Sequence, residues 1–238
     1  MPSPLLHLQI ADRSSEWLDI ENESQFFLGS IAPDAIHMGE NNTREYKRKL
    51  HLTTVDKNIS TRIFTALESY NGLKEPFADL SFLKGMYAHV ITDHLWSHSI
   101  SRYYLHDLYG STPRTIVDKR YYRESEMLEN ELIKLPNTEK IVDILQKSNS
   151  IAYFDLLTQE EVSKWKDKTI ELFSRIQTES GIKDKILENE LIENFMKLSI
   201  EILILFFSNK EEELKNYLDK NCAEHSLIRQ SISNKSHS

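Results

Sequence analysis

The chain is predicted to be all-α, and three observations carry that reading. Among its 238 residues glycine and proline number only six each, so chain breakers are rare. Apolar residues recur at three- and four-residue spacings along most of the sequence, whereas the strict alternation of a half-buried strand is scarce. No internal repeat or low-complexity tract interrupts the pattern. Helices are expected near 5–21 and 23–31, followed by others near 58–70, 76–107, 119–134, 138–147, 158–178, 184–208 and 210–221. Tyr109-Gly-Ser-Thr-Pro113 reads as a loop closing the longest of these, and Pro136-Asn137 marks another break. The stretch SNSIAYFDLL, 148–157, reads as a short extended connection. Beyond it Leu187, Leu191, Phe195, Leu198 and Ile202 form one apolar stripe, the mark of a helix that packs on the rest of the body. The polar tail after Ile228 is expected to fray, with 229–238 disordered.

Composition narrows the chemistry by exclusion. A net charge of −8 and a pI of about 5.6 give a field that repels long nucleic acids and anionic surfaces. A polyanion would need a local basic patch or bound cations, and the densest basic run, Lys47-Arg48-Lys49, reads as a solvated helix face in preference to a phosphate patch. The single cysteine, Cys222, excludes an intramolecular disulfide and a thiolate-rich metal site, so any metal must be held by His and carboxylates. The most apolar run, Ile200 to Phe207 broken by Glu201, is far short of the roughly 20 residues that span a bilayer. No transmembrane segment and a cytoplasmic location are expected.

The segment FLKGMYAHVITDHLWSH, Phe82 to His98, holds the most informative spacing. In it His89 and Asp93 stand four apart, so on a helix both leave one face, one turn apart, and reach a common ion. At about 100° per residue Trp96 falls within about 20° of His89, while His94 and His98 point about 140–180° away. His94 and His98 are four apart in turn, but no third partner for them is evident. Upstream, His7, Asp34 and His51 each sit among apolar or ordered-looking residues. His37 lies close to Asp34, and His106-Asp107 is an adjacent His-Asp pair of the kind found in HD phosphohydrolases.

This ordered set resembles the zinc-dependent phospholipase C family, whose fold is shared with fungal single-strand nucleases. The matching pieces are an early His, FFLGSIAPDA, the His of KLHLT and GxxxHxxxDxxW, over roughly residues 1–130. The resemblance implies a multi-helix bundle with the metal site between helices. It divides the chain into a metal-binding core, 1–135, and C-terminal helices packed on it, 136–238. It makes Asp34, His51, His89 and Asp93 ligands of one zinc, and Asp93 a bridge to a second ion that His7 helps to hold. The family's secreted phospholipases hold a further zinc with a His about ten residues past the His of HxxxD and a distant HxxxE. Here His98 falls one residue short, no HxxxE or HxxxD follows, and Glu124 is the acid available at that point. One or two ions, rather than three, are therefore expected, and with no thiolates manganese or iron could replace zinc.

The function implied is hydrolysis of a small phosphoester, most plausibly a phosphodiester, by a metal-activated water with Asp34 or Asp93 accepting its proton. Two other readings remain open on the residues alone: a metal-stabilised helical interaction module without catalysis, and an HD-type phosphohydrolase using His106 and Asp107.

Overall fold

The protein is described by a computed structural model covering residues 2–40, 42–53, 56, 58–75, 77–101, 114–174 and 186–222. The described chain is helical and carries no strand. Its helices are α1 (Pro4–Ser15), α2 (Glu23–Ile31), α3 (Arg44–Leu50), α4 (Ile59–Leu73), α5 (Leu80–Trp96), α6 (Arg114–Ile133), α7 (Thr138–Gln146), α8 (Gln159–Phe173), α9 (Asn189–Phe207) and α10 (Glu211–Asn221). A 3-10 turn, Ala32–Met38, continues α2, and a π-helical turn, Ser97–Ser101, continues α5.

Helix α5 is the axis of the bundle. Asp79 caps it, its Oδ1 accepting from the Phe82 amide at 2.8 Å, and from Ser81 to Trp96 every residue but Lys84 is buried. A helix apolar all round is one surrounded by protein, and α5 is flanked by α1, α2, α4 and α9. Its closest partner is α2. A Cβ on Gly29 would stand 2.2 Å from the Phe82 carbonyl oxygen, and one on Gly85 would stand 2.2 Å from the Phe26 oxygen and 2.7 Å from the Ser30 nitrogen. The two helices therefore touch backbone to backbone, an approach open only to glycine. This contact sets the height at which the next turn of each helix faces the other.

The second half of the chain braces the first. The stripe formed by Leu187, just before α9, and by Leu191, Phe195, Leu198 and Ile202 on it is buried, with Phe195 edge-on to Trp96 of α5 at 5.1 Å. Arg13 of α1 donates to both carboxylate oxygens of Glu193 on α9, at 2.6 and 3.0 Å. Helix α8, opened by the Thr158/Glu161 capping box, packs on the 3-10 turn.

Several sequence-based boundaries move. The first helix stops at Ser15 rather than 21, and α6 begins at Arg114, before the expected 119. The long helix expected over 76–107 starts only at Leu80, where Asp79 caps it, and becomes π-helical at Ser97. The Tyr109–Pro113 loop, His106, Asp107 and the tail 229–238 lie outside the described residues. The basic run forms a helix of its own, α3, capped by Thr43. The connection 148–157 is non-helical, with one antiparallel bridge between Tyr153 and Leu157.

Candidate metal centre

Five side chains from four segments meet beside α5. His7 comes from α1, Asp34 from the 3-10 turn, His51 from the C-terminal cap of α3, and His89 and Asp93 from α5. All five are buried, from 0 % exposed for His89 to 9 % for Asp93. Two overlapping groups place their donor atoms within 4.8 Å of one another: Asp34, His51 and His89, and His7, His89 and Asp93.

Main-chain carbonyls fix the imidazoles. The Nδ1 of His89 lies 2.9 Å from the Ser30 oxygen, a contact made possible by the Gly29/Gly85 crossing one turn earlier. The Nδ1 of His51 lies 3.0 Å from the Lys47 oxygen. An N–H at each Nδ1 satisfies that carbonyl and leaves the Nε2 lone pair to face inward. His7 stacks on His89 with ring centroids 3.9 Å apart and planes 13° from parallel.

The inward-facing atoms are too far apart for good hydrogen bonds. His89 Nε2 is 3.3 Å from His51 Nε2 and 3.7 Å from Asp93 Oδ2, and His51 Nε2 is 3.4 Å from Asp34 Oδ1 and 3.6 Å from Asp93 Oδ2. Donors around a tetrahedral ion with bonds of about 2.0–2.2 Å are themselves about 3.3–3.6 Å apart. The spacing fits a shared cation. Both ring nitrogens of His7, Oδ1 of Asp34 and Oδ1 of Asp93 are buried with no hydrogen-bond partner among the described residues, an unfavourable state that a cation relieves.

Asp93 divides its oxygens. Oδ2 faces His51 and His89, while Oδ1 faces Nε2 of His7 at 3.5 Å. His89 has a single Nε2, so it can complete only one of the two overlapping groups at a time.

The charge states follow from burial and from these neighbours. Burial, reinforced by His7, pushes His89 down to about 3, so its imidazole is neutral and suited to a metal. Burial also lowers His51, but the close approach of Asp34 and the charges of Asp93 and Asp34 outweigh it and raise the group to about 9. Burial raises both carboxyls, yet both end below the ordinary range, Asp34 through the close approach of His51 and Asp93 through the surrounding imidazoles of His89, His7 and His51.

The site opens to solvent through a cleft of about 220 Å³ lined by Arg44, Lys47, Arg48, His51, Thr53, Arg62, Asp93, His94 and Ser97. A second, more apolar cleft of about 320 Å³ has Leu50, Leu52, Leu73, Met86, Val90 and Phe154 in its walls. Leu50 and Leu52 flank His51 in sequence, and Met86 and Val90 flank His89.

Two residues expected near the centre lie elsewhere. His98 has Nε2 2.9 Å from the Cys222 carbonyl oxygen. Glu124 is fully buried and occupied: Oε2 accepts from the Ile186 and Leu187 amides at 2.8 and 2.9 Å, and Oε1 from Arg120 at 3.0 Å. Neither joins the donor groups among the described residues. His94 corrects the sequence expectation in the opposite sense, since it lines the same cleft as His51 and Asp93 rather than a separate face. Trp96, expected to share the pocket of His89, instead packs on Phe195 and donates to the Tyr121 hydroxyl at 2.7 Å. His37 stands behind Asp34, with Nε2 at 4.0 Å from Oδ1.

The family model for zinc-dependent phospholipase C matches residues 6–226. The chain belongs to that family. The match runs well past residue 130, where the motif resemblance stopped, and takes in the C-terminal helices that brace the centre. No curated protein and no solved structure matches the chain. Membership of the family supports a phosphoester hydrolase, and the buried His/Asp donor cluster is compatible with a bound metal ion. Among the described residues, no helix is long and apolar enough to cross a membrane.

Proposed function

We propose that the protein hydrolyses a phosphodiester of phospholipase C type, with one ion held by Asp34, His51, His89 and Asp93 and a second, weaker one by His7 and the far oxygen of Asp93. The observation that carries this reading is the division of Asp93, whose two oxygens face two different sets of imidazoles. A carboxylate placed this way would offer one oxygen to each of two ions. The single Nε2 of His89 makes the second ion the poorer in ligands. Zinc suits the nitrogen and oxygen donors, and manganese or iron can replace it because no thiolate enforces the choice.

When bound, the metal supplies Lewis acidity that brings a water from a pKa of about 15.7 toward about 7 and offsets charge on a phosphoryl oxygen. The chain does the rest. The Ser30 and Lys47 carbonyls hold His89 and His51 in the tautomer that presents Nε2 inward. Asp34, held ionised, would bind the ion through Oδ1, and its second oxygen would take the proton of the attacking water. Opening of the donors onto a cleft favours catalysis over a purely structural ion, whose ligands would be closed on all sides. The neighbouring apolar cleft favours a phosphoester with an apolar portion, as in a phospholipid.

The test is Asp93→Asn. Zinc titrated by calorimetry into metal-free wild-type and variant protein should show the second binding event lost and the first retained with weaker affinity. Hydrolysis of bis(4-nitrophenyl) phosphate should fall at least 100-fold at matched occupancy. Unchanged stoichiometry with unchanged turnover would remove Asp93 from the centre and leave a structural metal as the better account.

A further inference from the structure

The cleft over the donors has walls that the proposed hydrolysis leaves unused. Arg44, Lys47 and Arg48 stand at i, i+3 and i+4 on α3, so they share one face, and all three line the cleft with Arg62 of α4 opposite them. The one acid of α3, Glu45, is paired with Lys49 at 3.0 Å, and these two line an adjoining cleft with Arg44, Arg48 and Thr53. No carboxylate is in ion-pair contact with Arg44, Lys47 or Arg48 among the described residues. Arg62 is aimed by its own bond, Nε donating to the Asp56 carbonyl oxygen at 2.7 Å. In a chain with net charge −8, a cleft that collects these cations runs against the field of the whole molecule.

Two further observations point to a ligand rather than to a solvated face. The floor of the cleft is His51 and Asp93, so whatever the cations hold lies against the donor cluster. His94 also lines it, 4 % exposed, with a buried Nε2 that has no hydrogen-bond partner among the described residues. At about 220 Å³ the cleft suits a polar group rather than a whole drug-sized ligand, for which about 300–1,000 Å³ is usual.

We infer that this cleft is an anion subsite, and that the preferred substrate carries a second phosphate, a phosphomonoester, beside the phosphodiester that is cleaved. The inference rests on the phosphodiesterase reading above and deepens it by naming a substrate class. Lys47 and Arg48 supply the charge-assisted contacts to the second phosphate, with Arg44 and Arg62 at the rim.

Matched substrates that differ by one phosphomonoester test it. Zinc-loaded protein is assayed on thymidine 5′-(4-nitrophenyl phosphate) and on the same compound bearing a 3′-phosphate. A preference of about 10–100-fold in kcat/KM for the second is expected, the size of one or two charge-assisted contacts. The double variant Lys47→Gln/Arg48→Gln should lose most of that preference, and Lys47→Arg/Arg48→Lys, which retains the charge, should keep it. Binding of thymidine 3′,5′-bisphosphate against thymidine 5′-monophosphate, followed by calorimetry, gives the same comparison without turnover, so an inactive protein would sink the phosphodiesterase reading and leave the subsite still decidable. A lipid arm compares sedimentation with phosphatidylcholine vesicles containing phosphatidylinositol 4-phosphate or phosphatidylinositol. A charge-dependent preference in either arm supports the subsite, and the arm that shows it identifies a soluble or a membrane source. Equal binding in both arms, or a preference that survives the neutral variant, overturns it.

Discussion

With both Nδ1 atoms turned to carbonyls, the Nε2 atoms of His51 and His89 meet at 3.3 Å, and two facing lone pairs are tolerable only with a proton or a cation between them. In the metal-free protein His51 provides the proton. Its pKa, lowered by burial but raised further by Asp34 and Asp93, stands at about 9, against about 6.5 in an unfolded chain. The sign follows: the bound proton contributes fully to stability below about pH 6.5 and that contribution is lost as the pH rises through about 9. A metal must displace this proton, so zinc affinity is expected to rise about tenfold per pH unit below about 9. Competition with a zinc chelator at pH 6.5, 7.5 and 8.5 measures it, and a flat profile would show that His51 is not displaced. At this scale the cluster was the legible part: the family resemblance implies His7, Asp34, His51, His89 and Asp93 as ligands, and the fold brings these five side chains together. His94 was not legible. Ideal helix angles give a direction about the axis of α5, whereas exposure depends on where α3 leaves an opening, which no local pattern encodes.

Among the elements, the crossing of α2 and α5 governs the centre most directly. Gly85→Ala would drive a Cβ into the Phe26 oxygen and the Ser30 nitrogen, and backbone cannot swing aside as the end of a side chain can. We expect a loss of about 1–3 kcal/mol or more in folding stability, read from the denaturant midpoint, together with weaker zinc binding as the Ser30 carbonyl moves from His89. Gly72 has open space around its missing Cβ, so Gly72→Ala is the control and should be neutral or slightly stabilising. The helical periodicity of the sequence was sufficient to locate most elements, because apolar stripes such as that of α9 decide burial whatever the register of their neighbours. Ends were less readable: the stop of the first helix at Ser15 and the start of α5 at Asp79 depend on caps and on packing rather than on period. The family match beyond residue 130 went unseen for a related reason, since those helices serve by volume and apolar patterning, which many sequences satisfy.

For the molecule as a whole, an ion that binds only the folded chain adds stability by mass action, about 4.1 kcal/mol at a thousandfold excess over its Kd. A chain of this size shifts by about 2–4 °C per kcal/mol, so saturating zinc should raise the melting temperature by roughly 8–16 °C, and a chelator should reverse the shift. No shift would mean that the cluster takes no ion in the folded state. Net charge was legible from composition, but the basic cleft was not, because a sum over the chain hides where α3 and α4 gather their cations. The packing of α8 on the turn that carries Asp34 has a consequence in time. All five donors leave the ribosome before α8 does, and at about 5–20 residues per second the helix that backs Asp34 follows Asp93 by several seconds. During synthesis the nascent chain thus holds every metal-binding side chain without the support that aligns them, and the cell's supply of zinc meets a finished site only after most of the protein has been made.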